Sequence, residues 1–314
     1  TDLSDQGQNF SNESSSHNTI LKTPADRYFC ELYSCDKGIA MAKKNKKTLA
    51  SKADKYKCYL ASVQSPEHEI DFFNQAFKEE FGRKPETLRE DFCGTFAVCC
   101  EWVRGNRKRS AIGVDLDPEP LAWGKKHNFS KLTRHEQDRV QVLQQDVRKA
   151  NRPRVEVLAA QNFSFWLFKT RSELLEYFRI ARSNMADESI MVMDMMGGGE
   201  CYVEGNVDKR VIKKGKKGFA YHWEQGTFNP VSHDASFYIS FKFNDGSKLK
   251  RAFEYHWRFW TLAEVRELLA EAGFSHSHVY WEIEDEDGND TGDWVRADDA
   301  VSNPSWVCYI VAVR

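Results

Sequence analysis

Leu88-Arg89-Glu90-Asp91-Phe92-Cys93-Gly94-Thr95 is followed about twenty residues on by Ala111-Ile112-Gly113-Val114-Asp115-Leu116-Asp117, and these two stretches decide the fold. Each reads as a strand that enters a tight turn and then a helix. The first helix, from Phe96 to Val103, is apolar nearly all round, as a helix buried against a sheet must be. The second opens at Pro118, a residue favoured in the first turn. A strand, a small-residue turn, a helix and a second strand ending in a carboxylate make a nucleotide-binding βαβ unit. The turn lets backbone approach the ligand, and a carboxylate such as Asp115 bonds ribose hydroxyls. The glycine signal is weak taken alone, because only Gly94 stands where a dinucleotide fingerprint has three glycines.

Working outward, further strands are predicted over residues 140–144, ending at Asp146-Val147, over 155–160 and over 190–195. Helices fall between them, one opened by the capping box Thr170 to Glu173. Strands alternating with helices at this spacing give a parallel, doubly wound sheet. The methionines of the last strand, Met191, Met193, Met195 and Met196, read as core rather than as a metal site. After Gly197-Gly198-Gly199 the period falls to two, over 221–225, 235–243 and 249–257, with turns at Asn229-Pro230 and Asn244-Asp245-Gly246. That is an antiparallel meander. A capping box at Thr261 opens a helix that stops at Gly273, and strands over 278–282 and 305–313 close the chain around an acidic, solvated loop.

Upstream, residues 56–81 are helical in period with a break at Pro66, and residues 1–24 are polar with almost no apolar side chains. The expected organisation is a disordered tail over 1–24 and an N-terminal helical segment over 25–85. A nucleotide-binding core over 86–200, an antiparallel β insertion over 201–260 and a C-terminal helix with two strands over 261–314 follow. The fold class is α/β: a doubly wound, mostly parallel, seven-stranded Rossmann-like sheet with the antiparallel insertion.

The net charge of −2 excludes a protein that coats nucleic acid over its whole surface, but not a local basic patch. Two lysine-rich runs, from Lys43 to Lys57 with seven lysines in fifteen residues and from Lys209 to Lys217, read either as solvated faces or as an RNA contact. The eight cysteines form no Cys-x-x-Cys pair, which points to reduced thiols in an intracellular protein, cytoplasmic or organellar (mitochondrion or plastid). The chain begins at Thr1 rather than Met, which leaves room for a removed presequence. No run approaches the roughly 20 apolar residues of a membrane span.

Glu90, Cys93, Gly94 and Thr95, with the second stretch ending at Asp115, resemble the first two motifs of class I S-adenosylmethionine (SAM)-dependent methyltransferases. The longer phrase Arg-Glu-Asp-Phe-Cys-Gly-Thr resembles a bacterial-type subfamily of these enzymes. The resemblance covers about residues 55–314, and Phe92 and Phe96 stand where the wider family has glycines. It implies SAM as cofactor, with the backbone of Phe92, Cys93, Gly94 and Thr95 facing its methionine part, beside Glu90. Asp115 with Leu116 would hold the ribose, Asp146 and Val147 the adenine, and Asn162-Phe163 would border the methyl group.

In this family an N-terminal helical segment folds over the cofactor, which makes Tyr59 and Gln64 candidates for cofactor or substrate contact. Tyr221, Trp223, Tyr255 and Trp257, with Trp260, His222, His233 and His256, are candidates for a pocket that takes an amine through cation–π contact. Half of them are equally readable as sheet core, since strand residues alternate faces. Asn162-Phe163-Ser164-Phe165 lacks the two prolines of enzymes that methylate bases or amides, so a small-molecule N, O or S nucleophile is the expected methyl acceptor. No single catalytic residue can be demanded, because methyl transfer leans on orientation and a dry site. No metal is expected. The alternative reading is a catalytically inactive subunit of a larger protein assembly, motivated by Phe96, the polar tail and the basic runs.

Overall fold

The computed structural model describes residues 47–212, 215, 218–284 and 290–314. The expected tail over 1–24, the segment to residue 46, and Lys43, Lys44, Lys46, Lys213, Lys214, Lys216 and Lys217 lie outside the described residues.

Asp54 caps α1 (Lys55–Ser62) by accepting the N–H groups of Tyr56 and Lys57. Pro66 begins α2 (Pro66–Phe81), where its missing N–H is harmless, and Gly82 ends it in the left-handed conformation. Then come β1 (Thr87–Asp91), α3 (Ala97–Arg104), β2 (Ser110–Asp115), α4 (Pro118–His127), the short α5 (Arg134–Gln137), β3 (Val140–Gln144), β4 (Val155–Ala160), α6 (Arg171–Ser183) and β5 (Met185–Gly197). The capping boxes at Thr170 and Thr261 both form, the second opening α7 (Leu262–Glu271). The chain closes with β10 (His276–Glu284), β11 (Asp290–Arg296) and β12 (Trp306–Val313), after an antiparallel sheet of β6 (Val207–Val211), β7 (Phe219–Phe228), β8 (Asp234–Phe243) and β9 (Lys248–Arg258).

The main sheet runs β11-β10-β12-β5-β4-β1-β2-β3. β1 pairs in parallel with both β2 and β4, so the order of the chain reverses there, and ligands bind beyond the strand ends at such a point. The sheet has eight strands, not seven. Residues 290–293, expected within a solvated loop over 282–293, open β11 instead. The strand's alternation places Trp294 against Phe72 and Tyr309, and the Trp294 carbonyl accepts from Gln75. Arg296 bonds Glu79, so the edge strand is stapled to α2 by packing and charge together. The insertion likewise gains a fourth strand, β6, over a polar segment with no clear period.

Strand alternation sorts the core. Leu88, Val157, Val192 and Val311 pack with Phe72, Phe73, Phe77 and Trp102 of α2 and α3 on one face. Leu158, Met191, Met193 and Ile310 pack with Leu174, Phe178 and Leu269 of α6 and α7 on the other. The methionines are core, as expected. None of the six cysteines among the described residues is in a disulfide. No described helix is long and apolar enough to cross a membrane.

Candidate functional site

The Arg-Glu-Asp phrase owes its composition to the pleat. Arg89 and Asp91 point to one face, where they form a buried ion pair at 2.6 Å. Arg89 also donates to the Val147 carbonyl, and Tyr177 donates to Asp91. Glu90 points to the other face, 3% exposed, and accepts the N–H of Cys99 in α3. Burial, with Glu69 and Asp115 nearby, pushes the Glu90 carboxyl up to about 8.

The turn after β1 holds three left-handed residues, Phe92, Gly94 and Phe96, at φ of 57°, 50° and 43°. Only glycine takes this conformation freely; another residue costs about 1–2 kcal/mol. Ring packing offsets that strain, with Phe96 fully buried and Phe92 partly so. Phe92 packs on Phe168 and Tyr177, and Phe96 is 1% exposed beside Phe129. A Cβ added to Gly94 would meet nothing within 4 Å, so the crest of the turn faces open space. Cys93 is buried with its sulfur toward Gly113, and the Thr95 hydroxyl is buried without a partner.

Asp115, at the end of β2, accepts the N–H of Gly94 at 2.7 Å and of Asp117 at 2.9 Å. Each carboxylate oxygen keeps capacity for a further donor. Leu116 beside it is 67% exposed, an apolar platform next to the acid. Asp146 is held by Arg148 through its backbone N–H and its guanidinium, which keeps its carboxyl below the usual range. Val147 is buried and its carbonyl is taken by Arg89, so this residue offers a ligand less than the resemblance implies.

Past β4, Asn162 and Phe163 are both left-handed, at φ of 59° and 56°. Their N–H groups point to Asp194 of β5, whose carboxylate accepts both, at 2.8 and 2.9 Å. Burial raises the Asp194 carboxyl to about 6. These residues floor a cleft of about 790 Å³ beyond the strand ends. Tyr59, Tyr221, Trp223, Tyr255 and Trp257 wall it, and Glu200, Asp208 and Glu282 stand at its lining with Arg210. Tyr255 stacks on Trp257 with centroids 4.3 Å apart, and Trp223 stacks on Phe237 at 5.1 Å.

The helix α1 joins the two halves. On one side Asp54 accepts from Trp123, and Lys55 pairs with Glu119 at 2.8 Å, both in α4 beyond Asp115. On the other, Tyr59 lies against Phe253 at 4.8 Å and shares a hydrogen bond with Tyr255. Burial with that bond pushes the Tyr59 hydroxyl well up.

The cofactor candidates Glu90, Phe92, Cys93, Gly94, Thr95, Asp115, Leu116, Asp146, Val147, Asn162 and Phe163 all fall at or just beyond the carboxyl ends of β1 to β4. Of the substrate candidates, Tyr59, Tyr221, Trp223, Tyr255 and Trp257 line the cleft and Gln64 does not. Trp260 is core, donating to the Phe168 carbonyl, and His222, His233 and His256 are outside the lining. Of the lysine runs, Lys55 is spent on Glu119. Sequence reasoning missed Asp194, although it is the one charge inside the run Ile190-Met191-Val192-Met193-Asp194-Met195-Met196. It also missed Glu69, an acid on the apolar stripe of α2.

No protein-family description and no curated protein matches the chain. Solved structures do. DesVI of Streptomyces venezuelae superposes with a TM-score of 0.60 at 15% identity, over 83% of this chain and 98% of that one. CalS10 of Micromonospora echinaspora, a SAM-bound amino pentose methyltransferase, gives 0.59 at 15% over 83% and 97%. The sugar N-methyltransferase KedS8 of Streptoalloteichus gives 0.56 at 14% over 95% and 99%. At these identities the likeness establishes the fold, an α/β sheet with an added antiparallel sheet as found in SAM-dependent methyltransferases.

Proposed function

We propose that the protein transfers a methyl group from SAM to the nitrogen of a small-molecule amine held in the aromatic cleft. The observation that carries the reading is the bond from Gly94 N–H to Asp115, which locks the turn after β1 against the carboxylate at the end of β2 and leaves the crest of the turn open. The residues present fit the cofactor. Asp115 offers acceptor capacity for two hydroxyls, Leu116 an apolar surface for a ring, and the buried Thr95 hydroxyl and Glu69 Oε2 lack partners. Asp146, engaged by Arg148, keeps outward lone pairs for a purine edge.

SAM supplies an electrophilic methyl group on a sulfonium; the chain's own residues bind, orient and keep water out. Asn162 and Phe163, pinned by Asp194, border the reacting end of the site. Tyr59, Tyr221, Trp223, Tyr255 and Trp257 present π-faces to a cationic or amine acceptor, worth about 0.5–2 kcal/mol per contact. The carboxylates Asp194, Glu200, Asp208 and Glu282, against Arg210, favour a positively charged ligand over an anion. Asp194 is also the lining acid whose raised pKa suits it to receive a proton from an ammonium acceptor. Two structural neighbours act on amino sugars or sugar nitrogens by name, and a polyhydroxylated amine is a reasonable first class to screen.

The inactive-subunit reading drew on Phe96. Its ring lies in the core between α3 and α4, not over the turn, which removes that steric motive. The test is calorimetric binding of SAM and S-adenosylhomocysteine beside an Asp115→Ala control. Micromolar binding that is lost in the control supports the reading, and well-folded protein that binds neither ligand refutes it.

A further inference from the structure

Glu69 lies in the first turn of α2 on the stripe that carries Ile70, Phe72, Phe73 and Phe77 into the core. It is 8% exposed, and its Oε2 has no hydrogen-bond partner. A buried carboxylate with one oxygen unsatisfied is costly to keep, more so than an apolar side chain of the same shape.

Its surroundings say which ligand would relieve that cost. One turn on, Phe72 stacks on Tyr309 with centroids 4.2 Å apart, and Tyr309 stands opposite Asp194 in the ladder of β12 with β5. The same helix packs on α3, whose Cys99 N–H is held by Glu90. Glu69 therefore sits between Glu90 at the end of β1 and Asp194 at the end of β5, and it is electrostatically coupled to both. Glu69 and Glu90 are buried and Asp194 is half-buried, and the charge that reaches Glu69 is acidic. Glu90 lies in the strand that runs into the turn over 92–96, and Asp194 holds the N–H groups of Asn162 and Phe163.

We propose that Glu69 binds the α-ammonium group of the cofactor's methionine part, the donor that its Oε2 lacks. The inference rests on the SAM reading above. A sulfonium carries charge but no N–H or O–H, so it cannot give Oε2 a hydrogen bond. An ammonium gives up to three. The acceptor's amine is excluded as the partner because Glu69 is not among the residues lining the aromatic cleft.

The test compares two ligands by calorimetry in wild-type protein and in Glu69→Gln. S-adenosylhomocysteine carries the ammonium; 5′-methylthioadenosine is the same nucleoside thioether without the amino-acid end. The amide keeps the shape of the side chain and removes a buried charge, so the variant folds. In Glu69→Gln the affinity for S-adenosylhomocysteine falls about 10- to 100-fold, while that for 5′-methylthioadenosine stays within about twofold. In the wild type, binding of S-adenosylhomocysteine near pH 7 releases protons, read as heats that depend on the buffer, because an adjacent positive charge lowers the carboxyl's pKa. The variant loses that release. Equal weakening of both ligands, weakening of neither, or an unchanged proton release would overturn the inference. A wild-type protein that binds neither ligand would instead overturn the methyltransferase reading itself.

Discussion

The ring of Phe96 occupies the space that a side chain at residue 124 would need. A Cβ on Gly124 would stand 2.6 Å from the Phe96 ring and 2.3 Å from the Thr95 carbonyl oxygen. A phenylalanine at the mouth of α3 is thus accommodated by a glycine in α4, and the turn after β1 stays open above it.

Gly124→Ala is expected to lower stability by about 1–3 kcal/mol, the usual cost of overpacking, although alanine is the better helix former. The methyl group pushes on the backbone of Thr95, so affinity for S-adenosylhomocysteine falls as well. Denaturant unfolding and calorimetry on the same variant read both effects; unchanged stability would show that the turn yields freely.

Arg89 and Asp91 form a pair with side-chain exposures of 1% and 0%. Removing the cation strands a buried carboxylate, and Arg89→Ala is expected to cost about 3–5 kcal/mol. It also frees the Val147 carbonyl and Asn151, which Arg89 holds. A midpoint shift in urea with unchanged slope is the signature to look for.

Asp194 holds two consecutive left-handed residues by their N–H groups. Asp194→Ala should release that loop, costing about 2–4 kcal/mol in stability, since hydrogen bonds to a charged group contribute about 1.5–3 kcal/mol each. Methyl transfer should suffer more than cofactor binding, because the loop borders the reacting end. Asp194→Asn, which retains an acceptor oxygen, should recover part of the stability.

Burial raises the carboxyls of Glu69, Glu90 and Asp194 to about 7, about 8 and about 6, from ordinary values of 4.5 for glutamate and 3.8 for aspartate. The folded chain therefore holds these protons more tightly than the unfolded chain does. Their stabilising contribution is complete below the unfolded values and is lost as pH rises through the folded ones. The melting temperature of the ligand-free protein is expected to fall between about pH 5 and about pH 9. Glu69→Gln should flatten the slope, and a slope identical to wild type would count against the assignment.

Trp257 and Tyr255 stack at 4.3 Å on the cleft wall, apart from the turn and from Asp115. Trp257→Ala is expected to raise KM for an amine acceptor by about 2- to 30-fold, the span of a cation–π contact. S-adenosylhomocysteine affinity should be unchanged. If it drops equally, the wall belongs to the cofactor pocket instead.

The parallel core was legible because its signals are local. The apolar runs of β2, β4 and β5, the capping boxes at Thr170 and Thr261, Pro66 and Gly273 are each read within a few residues. The same holds for the clustering of Gly94, Asp115 and Asn162, since a doubly wound sheet brings its strand ends to one edge. β11 was not legible. It exists because Trp294 finds Phe72 and Tyr309, and Arg296 finds Glu79, partners more than 200 residues away in two of the three cases.

The sequence by itself determined the doubly wound class, the turn that meets Asp115, and the aromatic character of the insertion, because periodicity and capping chemistry act over one or two turns of chain. Only the tertiary structure decided that Phe96 points into the core, that Asp194 holds Asn162 and Phe163, and that Glu69 is buried with one oxygen unsatisfied. Which way a ring turns, and whether a buried charge is paired, depends on the shape and charge of neighbours that the chain brings in from far along its length.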